Sequence, residues 1–418
     1  MDEIRPCIVV IAYNREKALA RLLSSIGAAD YPENTEIPLI ISIDKSDNEE
    51  VANVSEAFDW RYGPKRIEKR PDRLGLKRHV LLCGDYSLEY GSAIVLEDDL
   101  YVSPQFYRYA VSALAFSKGQ ERLGGISLYN HLLNVHVRAP FYALDDGFDN
   151  YYFQFASSWG QAYTKEQWKA FRDWLGELEG AAQENKSGED QKDPGISEVK
   201  NNRFFADDLR IPANVASWSE KSWLKYHIAY LIDKDMFFLY PRVSLTTNFM
   251  SEGEHSRNEN QDLQVPLLTG RGREYRFSEL SESEAVYDAF FENLRLKKVI
   301  AKTVDQAASV MIDLYGFRVR TAAGEGKRFA DITDHLLTSE ALPYKLLKSY
   351  GRRLRPIDLN IILDQSGEDF FLYDVRIPGP APRVDPGKRY LYDYRALSIK
   401  KIGAILKTRL RNRKHIGQ

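Results

Sequence analysis

Cysteine is nearly absent from this 418-residue chain, which contains only Cys7 and Cys83. Both lie in apolar segments, where a free cysteine behaves as a small buried hydrophobic side chain. The sequence therefore predicts neither a disulfide framework nor a cysteine metal site, and it suits a reducing compartment.

The chain also lacks a long apolar run, since none approaches the roughly 18 residues of a membrane-spanning helix. Its first residues, MDEIRP, are acidic where a secretory signal peptide would be basic. We therefore expect a cytoplasmic protein. A basic C-terminal tail, described below, adds the expectation of peripheral attachment at the inner face of the membrane.

A charge imbalance is missing as well, because the formal net charge is -2. Without a strongly basic balance, no nucleic-acid partner is expected. Apolar residues make up 44% of the chain and aromatic residues 12%, which is enough for a sizeable core. The length allows one large domain and a smaller one.

The first 128 residues alternate between short apolar runs at 7–12, 38–44 and 93–96 and helical patterns at 18–27, 73–90 and from 103 onward. This alternation predicts an α/β fold with a mostly parallel, Rossmann-like sheet and helices on both faces. Ligands of such sheets bind at the carboxyl ends of the strands. The residues that follow predicted strands are Arg15, Asp44, Glu97, Asp98 and Asp99.

The three adjacent carboxylates of residues 97–99 repel one another and stay ionised only if they are solvated or neutralised by a cation. A hard cation held by one or two carboxylates usually completes its shell with water and phosphate oxygens. The triplet therefore indicates either a Mn²⁺ or Mg²⁺ site that holds a diphosphate, or a solvated acidic loop.

Further along, Thr164 and Gln167 have the spacing of a capping box before a helix. Aromatic residues in this helix predict core packing, and the polar segment 181–202 predicts a long loop, with a lid over the donor as a hypothesis. A strand is predicted at 237–241. We expect the first domain to end near residue 270.

The remainder, residues 271–397, is expected to be an α+β extension of unknown role. A helix is predicted over 284–298 and a hairpin over 358–363 and 369–377. Residues 398–418 form a basic amphipathic tail that suits an anionic membrane surface. A solvated helix packed on the domain is the alternative.

The ordered motifs IVVIAYNR, ISID, LKRH, VLEDDL, SPQFY, SSWGQA and YPRVSLTTN through GEHS occur in this order in the sequence. Together they resemble the GT-A fold glycosyltransferases, most closely the N-acetylglucosaminyltransferase I type, in a bacterial-looking, soluble form. The resemblance covers about residues 6–257. It implies a glycosyltransferase domain at 1–270, with a nucleotide-sugar half at about 6–130 and an acceptor half at about 131–270.

The resemblance also implies roles for residues that match the family motifs. Arg15 would contact the diphosphate of the donor, and Asp44 would contact the uracil or its ribose. His79 would line the nucleotide pocket. Glu97 and Asp98 would hold the sugar and ribose hydroxyls, which carboxylates accept well.

By the same resemblance, Asp99 would be the ligand of Mn²⁺ or Mg²⁺, and His255 would lie near the metal. The family places its catalytic base between two tryptophans, where this sequence has a longer spacing with Glu220 as the single carboxylate. Glu220 is therefore the candidate base. Asp207 and Asp208 are alternatives.

These observations predict a metal-dependent, inverting glycosyltransferase that moves a hexosyl or N-acetylhexosaminyl group from a UDP-sugar to a hydroxyl of a glycan or lipid-linked oligosaccharide, in surface-polysaccharide assembly. Two alternatives stay open. One is a non-catalytic protein that binds glycan or nucleotide. The other is a sugar nucleotidyltransferase, which needs a glycine-rich loop that residues 12–16 lack.

Overall fold

The structure is a computed structural model, which describes residues 4–184, 209–249, 263–305, 307–324, 326–384 and 392. Most of the predicted loop at 181–202 and the whole tail at 398–418 lie outside these residues. The same holds for Asp207, Asp208 and His255, so their predicted roles stay predictions.

The strands are β1 (Cys7–Ala12), β2 (Leu39–Ile43), β3 (Lys65–Lys69), β4 (Ser92–Glu97), β5 (Leu100–Val102), β6 (Leu123–Ser127), β7 (Leu133–Asn134), β8 (Ala139–Pro140), β9 (Asn150–Phe153), β10 (Gln161–Thr164), β11 (Phe237–Pro241), β12 (Thr246–Asn248), β13 (Val286–Tyr287), β14 (Val310–Asp313), β15 (His335–Thr338), β16 (Tyr344–Tyr350) and β17 (Phe370–Pro378). The helices are α1 (Glu16–Gly27), α2 (Glu50–Ala57), α3 (Leu76–Gly84), α4 (Tyr86–Tyr90), α5 (Phe106–Ser117), α6 (Lys165–Glu184), α7 (Ala213–Ala216), α8 (Trp223–Asp233), α9 (Leu296–Ile300), α10 (Phe317–Gly324) and α11 (Asp358–Ile362), with a 3-10 turn at Phe329–Asp331.

A nine-stranded sheet organises the N-terminal part, in the order β13-β9-β11-β6-β10-β4-β1-β2-β3. Strands β4, β1, β2 and β3 form a continuous parallel block. Strand β10 is antiparallel to both of its neighbours. The expected mixed α/β fold with a mostly parallel sheet is confirmed.

The order in which the chain adds strands to this sheet reverses beside β1. It runs from β1 outward through β2 to β3 and then returns to β4 on the other side of β1. Such a reversal opens a crevice outside the carboxyl ends of the two central strands, which is where open α/β sheets bind ligands. The loops after β1 and β4 therefore carry the candidate site.

Helices cover both faces of the sheet because alternate residues of the central strands point to opposite sides. Ile8 and Val10 of β1 pack in the core that contains α1, α2 and α5. Cys7 and Val9 pack in the core that contains α3, α4 and Trp223 of α8. Both cysteines are buried and free, as the sequence predicted.

The capping box at the start of α6 is confirmed. The Gln167 N–H donates to Thr164 Oγ1 at 3.2 Å, and the Thr164 N–H donates to Gln167 Oε1 at 3.0 Å. The aromatic side chains expected in the core, Trp168, Phe171 and Trp174, are buried, and so is Leu175.

Close packing of α6 on α3 depends on Gly84, where an added Cβ would lie 2.0 Å from Trp168 Cζ2. We expect Gly84→Ala to lower the free energy of unfolding by about 2–3 kcal/mol, because the indole has to move within a packed core. Chemical denaturation measures this change. As a control, Gly176→Ala lies on α6 with no heavy atom within 4 Å of the new Cβ. It should stabilise the protein by about 0.5–1 kcal/mol, and equal losses in the two variants would contradict the packing argument.

Three predicted elements differ from the structure. The helix predicted at 73–90 begins only at Leu76 and is divided into α3 and α4. The helix predicted at 284–298 is wrong up to residue 295, because residues 286–287 form β13 and Phe291 has φ +67° in a turn held by Asp288, and only its last residues lie in α9. The hairpin is wrong in its first arm, which is α11, and β17 pairs with β15 and β16 instead.

Strands β14, β15, β17 and β16 form a separate four-stranded sheet in the C-terminal part. The last strand of the nine-stranded sheet, β13, comes from beyond residue 270, the expected end of the first domain. That domain boundary stays a prediction. Among the described residues, no helix has the length and apolar character that crossing a membrane requires.

Candidate functional site

The structure brings Arg15 and the acidic triplet together at the carboxyl ends of β1 and β4. Arg15 forms an ion pair with Asp98 and a second with Asp99, where Nη1 lies 3.2 Å from Oδ2. The backbone N–H of Tyr13, in the same loop as Arg15, also donates to Asp98. The loop after β1 is thus fixed to the triplet by charge.

The ion pairs with Arg15 do not keep the pKa values of Glu97 and Asp98 in their usual range. Burial, together with the charges of Asp99 and Asp98, raises the pKa of Glu97 to about 8. Burial also raises the pKa of Asp98 to about 6, against the opposing effect of Arg15. The site therefore favours an added cation, or a proton in its place.

Asp99 carries the feature that best fits a metal ion. Its Oδ1 atom is buried and has no hydrogen-bond partner among the described residues. Within the same residues, no group of three or more His, Cys, Asp or Glu side chains could hold a metal. A single open carboxylate such as that of Asp99 fits only a hard cation that takes one or two carboxylates and completes its shell with water and phosphate oxygens.

Asp44 directly follows β2, and both oxygens of its carboxylate accept backbone N–H groups. Oδ1 accepts the N–H of Lys45 at 3.0 Å and of Leu74 at 2.8 Å, while Oδ2 accepts the N–H of Gly75 at 2.9 Å. These bonds hold residues 74–75 out of the helix that was predicted there, with Gly75 at φ +73°. Asp44 therefore fixes the start of α3 at the site, and its predicted contact with the nucleotide stays a prediction.

His79 is buried on α3, and its Nε2 lies 2.7 Å from Ser42 Oγ. Burial lowers the pKa of His79 to about 4, so the imidazole is neutral at pH 7. Arg70 donates to the same Ser42 hydroxyl from Nη2 at 2.9 Å. The Ser42 hydroxyl oxygen thus accepts from Arg70 and lies within hydrogen-bond distance of the neutral His79 imidazole.

A cleft of about 340 Å³ opens beside Asp44 at the ends of β2 and β3. Its lining includes Asp44, Lys45, Ser46, Asn48 and Arg70. Ser46 Oγ donates to the Tyr13 carbonyl at 3.0 Å, so the cleft is joined to the loop after β1. Polar groups of this kind suit a ligand that carries several hydrogen-bonding groups.

Glu220, the candidate base, has both carboxylate oxygens occupied. Oε1 accepts from Lys225 Nζ at 2.7 Å, and Oε2 accepts from the Tyr226 hydroxyl. Lys77 of α3 lies over the Tyr226 ring, with Nζ 3.8 Å from its centroid. Glu220 is therefore connected to the start of α3, but it has to give up a hydrogen bond before it accepts a proton.

Two residues at the site, Arg70 and Arg21, were not identified from the sequence. Arg70 follows β3, an edge strand of sequence KRIEK whose charged residues conceal the strand pattern. Recognition of that strand would have placed Arg70 at the same sheet edge as Asp44. Arg21 lies in the amphipathic pattern of α1, and nothing in that pattern sets it apart from other surface arginines.

The raised pKa values of Glu97 and Asp98 predict a pH dependence of metal binding. A carboxyl whose pKa is higher in the folded protein contributes stability at low pH, and this is lost as the pH rises from about 4.5 through the folded pKa of about 8. A divalent cation held by Asp99 beside the ionised Glu97 and Asp98 should restore it. We expect Mg²⁺ to raise the melting temperature more at pH 8 than at pH 6, by about 1 °C for each kcal/mol of stabilisation in a chain of 418 residues. Thermal unfolding with and without Mg²⁺ measures this difference, and equal shifts at both pH values would contradict it.

No family model and no curated protein matches this chain. Among solved structures, it is similar to S. aureus TarS 1-349, with 14% identity over 41% of this chain and 49% of that one and a TM-score of 0.30. It is also similar to the mannosyltransferase PcManGT from Pyrobaculum calidifontis in complex with GDP-Man and Mn²⁺, with 15% identity over 41% and 47% of the two chains and a TM-score of 0.29.

A third similar structure is S. aureus TarS 1-349 in complex with UDP-GlcNAc, at 13% identity over 60% of each chain with a TM-score of 0.29. The chain spans about half the length of the first two structures. Likenesses at this level do not establish a family, and the function proposed below rests on the residues of the site.

Proposed function

We propose that this protein is a metal-dependent, inverting glycosyltransferase that transfers a sugar from a nucleotide sugar, a UDP-sugar, to a hydroxyl group of a glycan. One observation carries the proposal. Arg15, Asp44 and the acidic triplet lie at the carboxyl ends of the adjacent strands β4, β1 and β2, and a buried oxygen of Asp99 has no partner among the described residues. This combination supports a site for a diphosphate and its cation.

Each residue has a defined task under this proposal. Asp99 would hold the Mn²⁺ or Mg²⁺ ion, which when bound neutralises the charge on the departing nucleoside diphosphate. Glu97 and Asp98 would accept hydrogen bonds from the hydroxyls of sugar and ribose. Arg15 would contact the diphosphate, and for this it has to release one of its two carboxylates. Asp44 would hold the wall of the nucleotide pocket in place.

Inversion requires a base that takes the proton of the acceptor hydroxyl. We propose Glu220 for this role, with Lys225 and Tyr226 orienting its carboxylate. Glu220→Gln should then lower the rate of donor hydrolysis by about a thousandfold while UDP affinity stays within about twofold. Steady-state kinetics and calorimetry measure the two quantities. A variant that keeps its rate would remove Glu220 from the reaction.

The acceptor is proposed to be a glycan or lipid-linked oligosaccharide of surface-polysaccharide assembly. This part of the proposal rests on the basic amphipathic pattern of residues 398–418 in the sequence. The hydrophobic face of that pattern would lie in the membrane surface, and its lysines and arginines would meet anionic lipids.

A hydrolysis screen tests the proposed activity before any acceptor is identified. The purified protein is incubated with Mn²⁺ and a panel of UDP-, GDP- and TDP-sugars, and release of the nucleoside diphosphate is measured. We expect slow release from one UDP-sugar. Tight binding without release from any donor would favour the non-catalytic alternative, for which the two occupied oxygens of Glu220 are the supporting observation.

A further inference from the structure

Arg21 lies on α1, six residues after Arg15, and its guanidinium is near enough to the acidic triplet that the charges of Asp99 and Asp98 act on it. Side chains on a helix tilt toward its N-terminus, and six residues of helix span only about 9 Å, which a long arginine side chain largely covers. Strand β5, which begins directly after Asp99, runs along the same side of α1. There the Val102 N–H donates to Ser25 Oγ at 3.2 Å.

Phe249 covers one face of the Arg21 guanidinium. The Arg21 Cζ atom lies 4.1 Å from the centroid of the Phe249 ring, a cation–π contact. Phe249 is held in turn by its N–H, which donates to the Asp99 carbonyl at 2.8 Å. The guanidinium is therefore fixed in orientation beside the residue that would bind the metal.

The Nε–Nη2 edge of this guanidinium makes no hydrogen bond to the described residues. Both Nε and Nη2 are buried, and neither has a hydrogen-bond partner among the residues that the structure describes. These two nitrogens form one side of the planar fork, the side that binds two oxygens of a carboxylate or phosphate at once. A buried charged donor without a partner costs free energy, so the arrangement fits a group that gains its partner from a ligand.

We propose that Arg21 is a second arginine of the donor site and binds the diphosphate through its Nε–Nη2 edge. This inference rests on the proposed function. Asp99 is the other anion nearby, but its Oδ1 atom and the Nε–Nη2 edge of Arg21 both lack a hydrogen-bond partner among the described residues, so the two side chains do not pair there. A diphosphate carries charged oxygens on two phosphorus atoms. Arg15 is already shared between two carboxylates, so Arg15 alone cannot bind all of these oxygens. Arg15 and Arg21 would each take one phosphate group.

Calorimetric titration of the full chain with inorganic pyrophosphate and with UDP, both in the presence of Mn²⁺, tests this assignment. We expect Arg21→Gln to weaken both ligands by about 10- to 100-fold, the effect of losing a charge-assisted pair of hydrogen bonds. Arg21→Lys should lose nearly as much, because lysine keeps the charge and lacks the paired edge. Lys17→Gln, on the exposed side of α1, is the matched control and should stay within twofold.

The variants should remain folded, because Arg21→Gln removes a buried charge that has no hydrogen-bond partner at Nε or Nη2 within the described part of the chain. Thermal unfolding checks this. Affinities of Arg21→Gln within twofold of the original chain would overturn the assignment, and binding by the original chain would leave the proposed function standing. Unchanged pyrophosphate affinity with tighter Mn²⁺ binding would also overturn it, since Arg21 would then act on Asp99. An original chain that binds neither ligand would overturn both proposals.

Discussion

Asp99→Asn should remove metal-dependent binding of UDP, with a loss of at least about a hundredfold in affinity in the presence of Mn²⁺. The buried Oδ1 of Asp99 has no partner among the described residues, and Oδ2 is shared with Arg15. An amide at this position keeps the size of the side chain but offers no charge and one acceptor fewer. Calorimetry with and without Mn²⁺ measures the loss.

Glu97→Gln is the matched control for Asp99→Asn. Because the pKa of Glu97 is about 8, its carboxyl is largely protonated at pH 7, and glutamine resembles that form. Glu97→Gln should therefore weaken donor recognition moderately while the effect of Mn²⁺ persists. Equal loss of the Mn²⁺ effect in both variants would contradict the assignment of the metal to Asp99.

Asp44→Ala should lower the free energy of unfolding by about 3–5 kcal/mol, because it leaves three backbone N–H groups without their acceptor. Residues 74–75 would lose the bonds that hold them at the site, so UDP affinity should fall as well. Chemical denaturation measures the stability, and Asp44→Asn should give an intermediate value because one oxygen remains.

Asp47→Ala provides the control from the same loop. Asp47 is exposed, and its substitution should change the unfolding free energy by no more than about 0.5 kcal/mol. If the unfolding free energy of Asp44→Ala lay within about 1 kcal/mol of that of the original chain, Asp44 would not anchor residues 74–75. A retained loss of UDP affinity in such a variant would instead support direct contact with the nucleotide.

The arrangement of the site followed from the sequence because it depends on local patterns. The run CIVVIA predicted β1 with its observed bounds, and parallel strands necessarily bring their carboxyl ends to one edge. Arg15, Asp44 and the triplet were placed together on that ground alone. Charge repulsion within the triplet was also predictable, because its three carboxylates are adjacent in the sequence.

Other features depend on contacts between distant residues and were not predictable. The ion pairs of Arg15 join residues more than 80 positions apart, and the bonds of Asp44 to residues 74–75 shorten a helix whose pattern continues through them. In the C-terminal part, Tyr287 and Phe291 have helical spacing, yet β13 pairs with β9 and the turn at Asp288 overrides that preference. Tertiary pairing decides such segments.

Calorimetric titration of the unmodified chain with UDP, in the presence and in the absence of Mn²⁺, tests the central claim most directly. The claim is that the acids after β4 and Arg15 after β1 form a site for a nucleoside diphosphate and its cation. We predict saturable binding of UDP with Mn²⁺ and binding at least tenfold weaker without it. Absence of UDP binding under both conditions would contradict the claim.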